Sequence, residues 1–165
     1  MTRKFFVTLL LLPVAFLLWN CNQTKKAEQP TVQEINELPY LSYTTLKGEP
    51  QSTRTMPGGS LLILFNTDCD HCQREAKEIS EKNGAFKDYQ LFFIAADSLD
   101  QIENFAKIYN LADKPNVHFG RAEFQDVFIN FGSIPTPAIY LYSRERKFVK
   151  SFLGETPVEE LIKYL

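Results

Sequence analysis

Two cysteines two residues apart constrain this chain more than any other feature. Cys69-Asp70-His71-Cys72 follows the apolar run Leu61-Leu62-Ile63-Leu64-Phe65 and opens a helical pattern expected to run from Cys72 to Asn83. A buried strand, a short loop and a cysteine pair at a helix N-terminus form a place where a small disulfide ring can open and close without disturbing the fold. The first sulfur there meets the unpaired N–H groups and positive end of the helix, which favour a thiolate. The pattern implies reversible thiol–disulfide chemistry, with Cys69 as the exposed nucleophile and Cys72 as the more buried, resolving thiol.

The third cysteine explains the odd count. Arg3-Lys4 is a positive segment, and Phe5 to Leu18 is a 14-residue apolar stretch interrupted by Thr8 and Pro13. That is short of the ~20 residues a spanning helix needs and suits a secretory leader. Cys21 comes directly afterwards and resembles the lipid-modified cysteine of bacterial lipoproteins, although Trp19-Asn20 stand where small residues are preferred. The expected organisation is a leader over 1–20, a lipidated Cys21 with a polar tether over 21–38, and one domain over 39–165. A flexible tether of about 17 residues reaches roughly 20–25 Å. Setting aside Arg3 and Lys4, the chain carries about −4 (18 basic residues less these two, against 20 acidic). This gives no reason to expect nucleic acid as a partner.

Within the domain, Leu41–Leu46 and Gln51–Thr53 flank the turn Lys47-Gly48-Glu49-Pro50 and read as a hairpin. Leu61–Phe65 and Leu91–Ala96 are continuous apolar runs rather than alternating ones, as in parallel strands covered on both faces. Ser98-Leu99-Asp100-Gln101 is a capping box. It opens a helix with Ile102, Phe105, Ala106 and Tyr109 on one face. Asn116–Phe119 suits a short strand. Phe124, Val127, Phe128 and Phe131 mark a helix stopped by Gly132, with its aromatic stripe expected in the core. After Ser133-Ile134-Pro135-Thr136-Pro137 come the strand Ala138–Tyr142, a turn, and a more polar strand over Lys147–Leu153. Thr156 as N-cap, Pro157 and Glu159 would start a last helix burying Val158, Leu161, Ile162 and Leu165. The expected fold class is α/β, with three α/β/α layers, a mixed central sheet, an N-terminal hairpin, and an α-β-α insertion between a βαβ half and a ββα half.

The Cys-x-x-Cys after a buried strand, with Ile134-Pro135-Thr136 before a later strand, resembles the thioredoxin fold. The Gly48 turn, Glu75 three residues after Cys72, and the insertion look like the TlpA and ResA type of envelope thiol–disulfide oxidoreductase. The resemblance covers about Leu41 to Leu165. It implies that Pro135 is cis and lies against the sulfurs, and that Ile134 and Thr136 offer backbone to an extended substrate segment. It also implies that Glu75 is a proton acceptor for the buried thiol or a specificity element. Three positions depart from cytosolic thioredoxins: Asp68 where a bulky residue precedes the first cysteine, Asp70-His71 as the middle pair, and Ile63 in place of a buried acid.

His71 beside Cys69 is expected to stabilise its thiolate, with Asp68 and Asp70 opposing. His118 reads as an ordinary strand-end histidine. The reading is an extracytoplasmic oxidoreductase acting on protein thiols and disulfides, as a reductase rather than an oxidant. It requires no cofactor or metal, and it draws electrons from a membrane donor. Apo-cytochrome c, misoxidised envelope proteins and a dedicated partner all remain open as substrates. The rival readings are a copper or zinc chaperone using the two thiols with His71 or His118, a lipoprotein with a purely structural disulfide, and a thiol peroxidase. Asn66 stands where the peroxidase threonine would be.

Overall fold

The computed structural model describes residues 38–165. The leader, Cys21 and all but the last residue of the tether lie outside the described residues. The strands are β1 (Ser42–Thr45), β2 (Pro50–Ser52), β3 (Ser60–Leu64), β4 (Gln90–Ala95), β5 (Val117–Arg121), β6 (Ala138–Tyr142) and β7 (Phe148–Leu153). The helices are α1 (Asp70–Glu81), α2 (Leu99–Ile108), α3 (Phe124–Phe131) and α4 (Val158–Ile162). One sheet runs in the order β2-β1-β5-β4-β3-β6-β7. The centre is parallel across β5, β4 and β3, and both flanks are antiparallel. This is the mixed thioredoxin-like architecture expected, with the inserted strand β5 joining the sheet between β1 and β4.

The continuous apolar runs are explained by burial on both faces. Alternate residues of β3 and β4 point to opposite sides. Leu61, Ile63, Leu91 and Phe93 face a core shared with α1, α2 and α4. Leu62, Leu64, Phe92 and Ile94 face a second core under α3 and the segment carrying Leu41, Tyr43 and Met56. A strand buried on both sides has no use for a polar alternate. At Gly120 of β5 a Cβ would sit 2.5 Å from the Tyr43 ring, so the close approach of β1 requires glycine there.

Local details depart from the sequence expectations at three helices. α1 begins at Asp70 rather than Cys72, because Cys69 itself is the N-cap and its sulfur accepts the Cys72 N–H. The aromatic stripe of α3 divides. Val127 and Phe131 pack on the second core, while Phe124 and Phe128 are 72% and 53% exposed. An amphipathic spacing covers more of the helix circumference than one sheet face can bury.

α4 is not capped by Thr156. The Thr156 hydroxyl donates to Gly154 O at 3.1 Å, and Glu78 of α1 accepts the Val158 N–H at 3.3 Å instead. The capping thus comes from another helix and joins α4 to α1. Ile162 is 37% exposed, while Val158 and Leu161 are buried. By contrast, the Ser98–Gln101 capping box forms with both reciprocal bonds.

Both sheet edges are blunt. β2 has three residues and begins with Pro50. β7 loses register opposite Leu141 and Tyr142 and carries Lys150.

Candidate active site

The site lies at the C-terminal end of β3, where the chain leaves the sheet at Phe65. The Asn66–Asp68 loop is fixed by side chains on either side of it. Asp97, just past β4, accepts the Thr67 N–H at 2.9 Å, and Gln73 of α1 donates to Thr67 O at 3.1 Å. Cys69 N–H then donates to Asn66 O at 3.4 Å, which turns the chain into α1. These bonds set the first cysteine half-buried at the helix start and the second buried one turn inward.

Both cysteines are free thiols in contact, with their sulfurs 2.6 Å apart. Cys69 Sγ accepts the Cys72 N–H at 3.3 Å and lies 3.6 Å from Thr136 O. The Thr136 hydroxyl reaches the same sulfur at 4.0 Å and accepts from Asn66 Nδ2 at 3.2 Å. Burial pushes the Cys72 thiol up to about 12, assisted by the bond to Cys69 and opposed by Asn66 and Thr136. Cys72 therefore holds its proton until a partner removes it.

Among the described residues the cis peptide bond is Thr136–Pro137. This corrects the assignment to Pro135. The backbone group that meets the sulfur is the carbonyl of Thr136, and the residue entering β6 is the buried Pro137, whose carbonyl accepts the Gly154 N–H at 2.8 Å. Pro135 lies exposed one step further out. Ile134 lines a groove of about 220 Å³ with Asn66, Val127, Phe128 and Thr136. The doublet Pro135-Thr136-Pro137 held the clue, since only its second proline abuts the strand.

Glu75 is 2% exposed, three residues along α1 from Cys72. Residues three apart on a helix are neighbours. Its Oε1 accepts the Thr156 N–H at 2.9 Å, while Oε2 has no protein partner. Burial raises the Glu75 carboxyl to about 8, with the Thr156 bond working the other way and Glu155 and Glu78 adding repulsion.

The side chain of His71 engages the β7–α4 loop and its own helix. Its Nδ1 lies 2.6 Å from Glu155 Oε2 and 2.7 Å from Arg74 Nη2. Arg74 grips Glu155 as a fork, Nε to Oε1 at 2.8 Å and Nη2 to Oε2 at 2.6 Å. That hold, with His71 second, keeps the Glu155 carboxyl at about 2. The roles of Arg74, Glu155 and Thr156 at the site were missed in the sequence, because Thr156 reads there as a helix cap and the loop lies 81 residues from its partners on α1. His118 is remote in role: it stacks on Phe92 and pairs with Gln90. No group of three or more His, Cys, Asp or Glu side chains with metal-binding geometry occurs among the described residues.

A dithiol at a helix start, backed by the strand-entry Thr136–Pro137 segment on this mixed sheet, defines a class, and the chain is a thioredoxin-like thiol–disulfide oxidoreductase. No protein-family model matches it. It is similar to the thiol–disulfide oxidoreductase ResA of Bacillus thuringiensis subsp. konkukian, 26% identical over 156 residues that span 92% of this chain and 86% of that one. Its fold matches a secreted Mycobacterium tuberculosis disulfide oxidoreductase homologous to Escherichia coli DsbE, with TM-score 0.60 and 19% identity over 81% of this chain and 97% of the other. It also matches copper-bound ScoI of Arabidopsis thaliana, with TM-score 0.56 and 17% identity over 75% and 92% of the two chains.

Proposed function

We propose that this protein reduces disulfides of other proteins outside the cytoplasm, held near a membrane by a lipid on Cys21. Cys69 attacks the substrate disulfide and forms a mixed disulfide. Glu75 takes the proton from Cys72, whose sulfur then displaces the substrate thiolate and closes the Cys69–Cys72 bond. A membrane electron donor returns the pair to the dithiol. Ile134 and Thr136 receive the substrate segment as a short added strand. Apo-cytochrome c is one member of the substrate class.

The observation that supports this direction is the set of hydrogen-bond partners around the Cys69 sulfur. Cationic partners that stabilise a thiolate make a dithiol strongly oxidising. Among the described residues the partners of the Cys69 sulfur are the Thr136 carbonyl and hydroxyl, the Cys72 thiol and the Cys72 N–H. The imidazole that could supply charge is committed to Glu155 and Arg74. This set of partners, without a direct hydrogen bond from a cationic side chain to the Cys69 sulfur among the described residues, supports the reductase reading.

Equilibration in dithiothreitol and glutathione buffers, followed by alkylation and mass analysis, measures the midpoint potential. A value below about −200 mV supports a reductase, whereas one near −120 mV makes the protein an oxidant. Fatty-acid labelling of wild type against Cys21→Ser tests the anchor separately, and absence of label in wild type removes it.

A further inference from the structure

The Gly154–Thr156 loop is held at each of its three residues. Gly154 donates its N–H to Pro137 O at 2.8 Å, Glu155 is gripped by Arg74, and Thr156 donates its N–H to Glu75 Oε1 at 2.9 Å. We propose that Arg74 and Glu155 are positioning residues for the exchange reaction: their pair latches this loop to α1 and so keeps the Thr156 amide on Glu75. The proposal rests on the reading of Glu75 as the proton acceptor for Cys72.

The argument starts from what Glu75 lacks. Its Oε2 has no protein partner, so the Thr156 N–H is the one hydrogen bond that favours its ionised form among the described residues. Adjacent residues are tied by a 3.8 Å Cα step, so releasing Glu155 frees Thr156 with it. An exposed ion pair ordinarily contributes little, but a bidentate fork fixes direction as well as distance. The Arg74–Glu155 fork is of that kind, and it joins two elements 81 residues apart. His71 touches the same carboxylate oxygen, so the middle of the redox motif is connected through Glu155 and Thr156 to the buried acid beneath Cys72.

The charged groups that act on Glu75 are Glu155 on the loop and Glu78 on its own helix, and the Cys72 thiol lies three residues before it on that helix. Glu155 acts on Glu75 in two opposed ways. Its negative charge makes Glu75 hold its proton more firmly, whereas the amide it positions makes Glu75 release the proton more readily. Removal of Glu155 therefore has a different sign for each role.

The experiment follows the Glu75 carboxyl by carbon-13 NMR across pH in the reduced full-length protein, together with hydrogen exchange at the Thr156 amide, in wild type, Glu155→Ala and Arg74→Lys. Loss of the latch predicts faster Thr156 exchange and a Glu75 midpoint about one pH unit higher, the size of one hydrogen bond to a charged group. Arg74→Lys keeps the charge but loses the fork and shifts Glu75 in the same direction. Glu155→Gln leaves Arg74 one acceptor oxygen in place of two, so it also loses the fork and speeds Thr156 exchange. A midpoint that falls in Glu155→Ala shows that Glu155 acts only as a like charge, and an unchanged midpoint shows no connection; either overturns the latch. The acceptor reading is tested apart from this by the rate at which Cys72 resolves a mixed disulfide in Glu75→Gln. An unchanged rate there removes that reading while the titration of Glu75 still decides the latch.

Discussion

Replacing Glu75 by glutamine should make the protein more stable as the pH rises, although the substitution removes a group proposed to take part in catalysis. The native carboxyl sits at about 8 against an ordinary 4.5, chiefly because of burial. A carboxyl raised on folding binds a proton in the native state that the unfolded chain has already lost. Its contribution is fully present below pH 4.5 and is lost as the pH climbs through 8. The gap of 3.5 pH units, at about 1.36 kcal/mol each, corresponds to about 5 kcal/mol in all, of which about 4 falls between pH 5 and pH 8. Glutamine keeps an oxygen for the Thr156 N–H and has nothing to ionise. Any constant cost of its amide is the same at both pH values.

Urea unfolding of reduced wild type and Glu75→Gln at pH 5, 6, 7 and 8 measures the effect. The two curves should diverge by about 4 kcal/mol over this range, a large share of the 5–15 kcal/mol typical of a domain. Subtraction of the curves cancels the titration of other groups. Parallel curves, differing by less than about 1 kcal/mol across the range, would refute the idea that Glu75 is held as a buried acid.

Two further outcomes follow from the same geometry. Brief iodoacetamide treatment of the reduced native protein at pH 8 should label Cys69 and spare Cys72, since a thiol at about 12 is thiolate in about one molecule in 10⁴ at that pH; equal labelling of both in peptide mass spectra would contradict the burial of Cys72. Phe65→Ala should cost about 3–5 kcal/mol in urea unfolding, because this 3%-exposed ring meets Phe93, Phe105 and Phe119 at 5.7, 4.7 and 6.3 Å between centroids; a loss under about 1.5 kcal/mol would mean that the aromatic cluster is poorly packed.

What could be read from the sequence was whatever repeats with a period or sits next to its partner. Leu61–Phe65 and Leu91–Ala96 announced doubly covered strands by having no polar alternates. Ser98 and Gln101 announced a helix start because the two bonding residues are three apart. What escaped involved choices made across the fold. The decision between Pro135 and Pro137 depends on which peptide faces Cys69, and neighbouring residues do not encode that. The cap of α4 comes from Glu78 on another helix, so the local Thr156 pattern misled. His71 could be seen beside the cysteines in sequence, but its direction is set by Glu155, which only folding brings near. Phe124 and Phe128 share the spacing of Val127 and Phe131 yet lie beyond the reach of the sheet.

The blunt flanks of the sheet have a bearing on how such chains behave when many are crowded together. A border strand with free, evenly spaced amides invites a neighbouring molecule to dock alongside and extend the ladder. Here one border is three residues long and starts with an imino acid that cannot donate. The other breaks step and carries a lysine that would have to be dehydrated for lateral pairing. Stacking into fibrils is thereby discouraged at both margins.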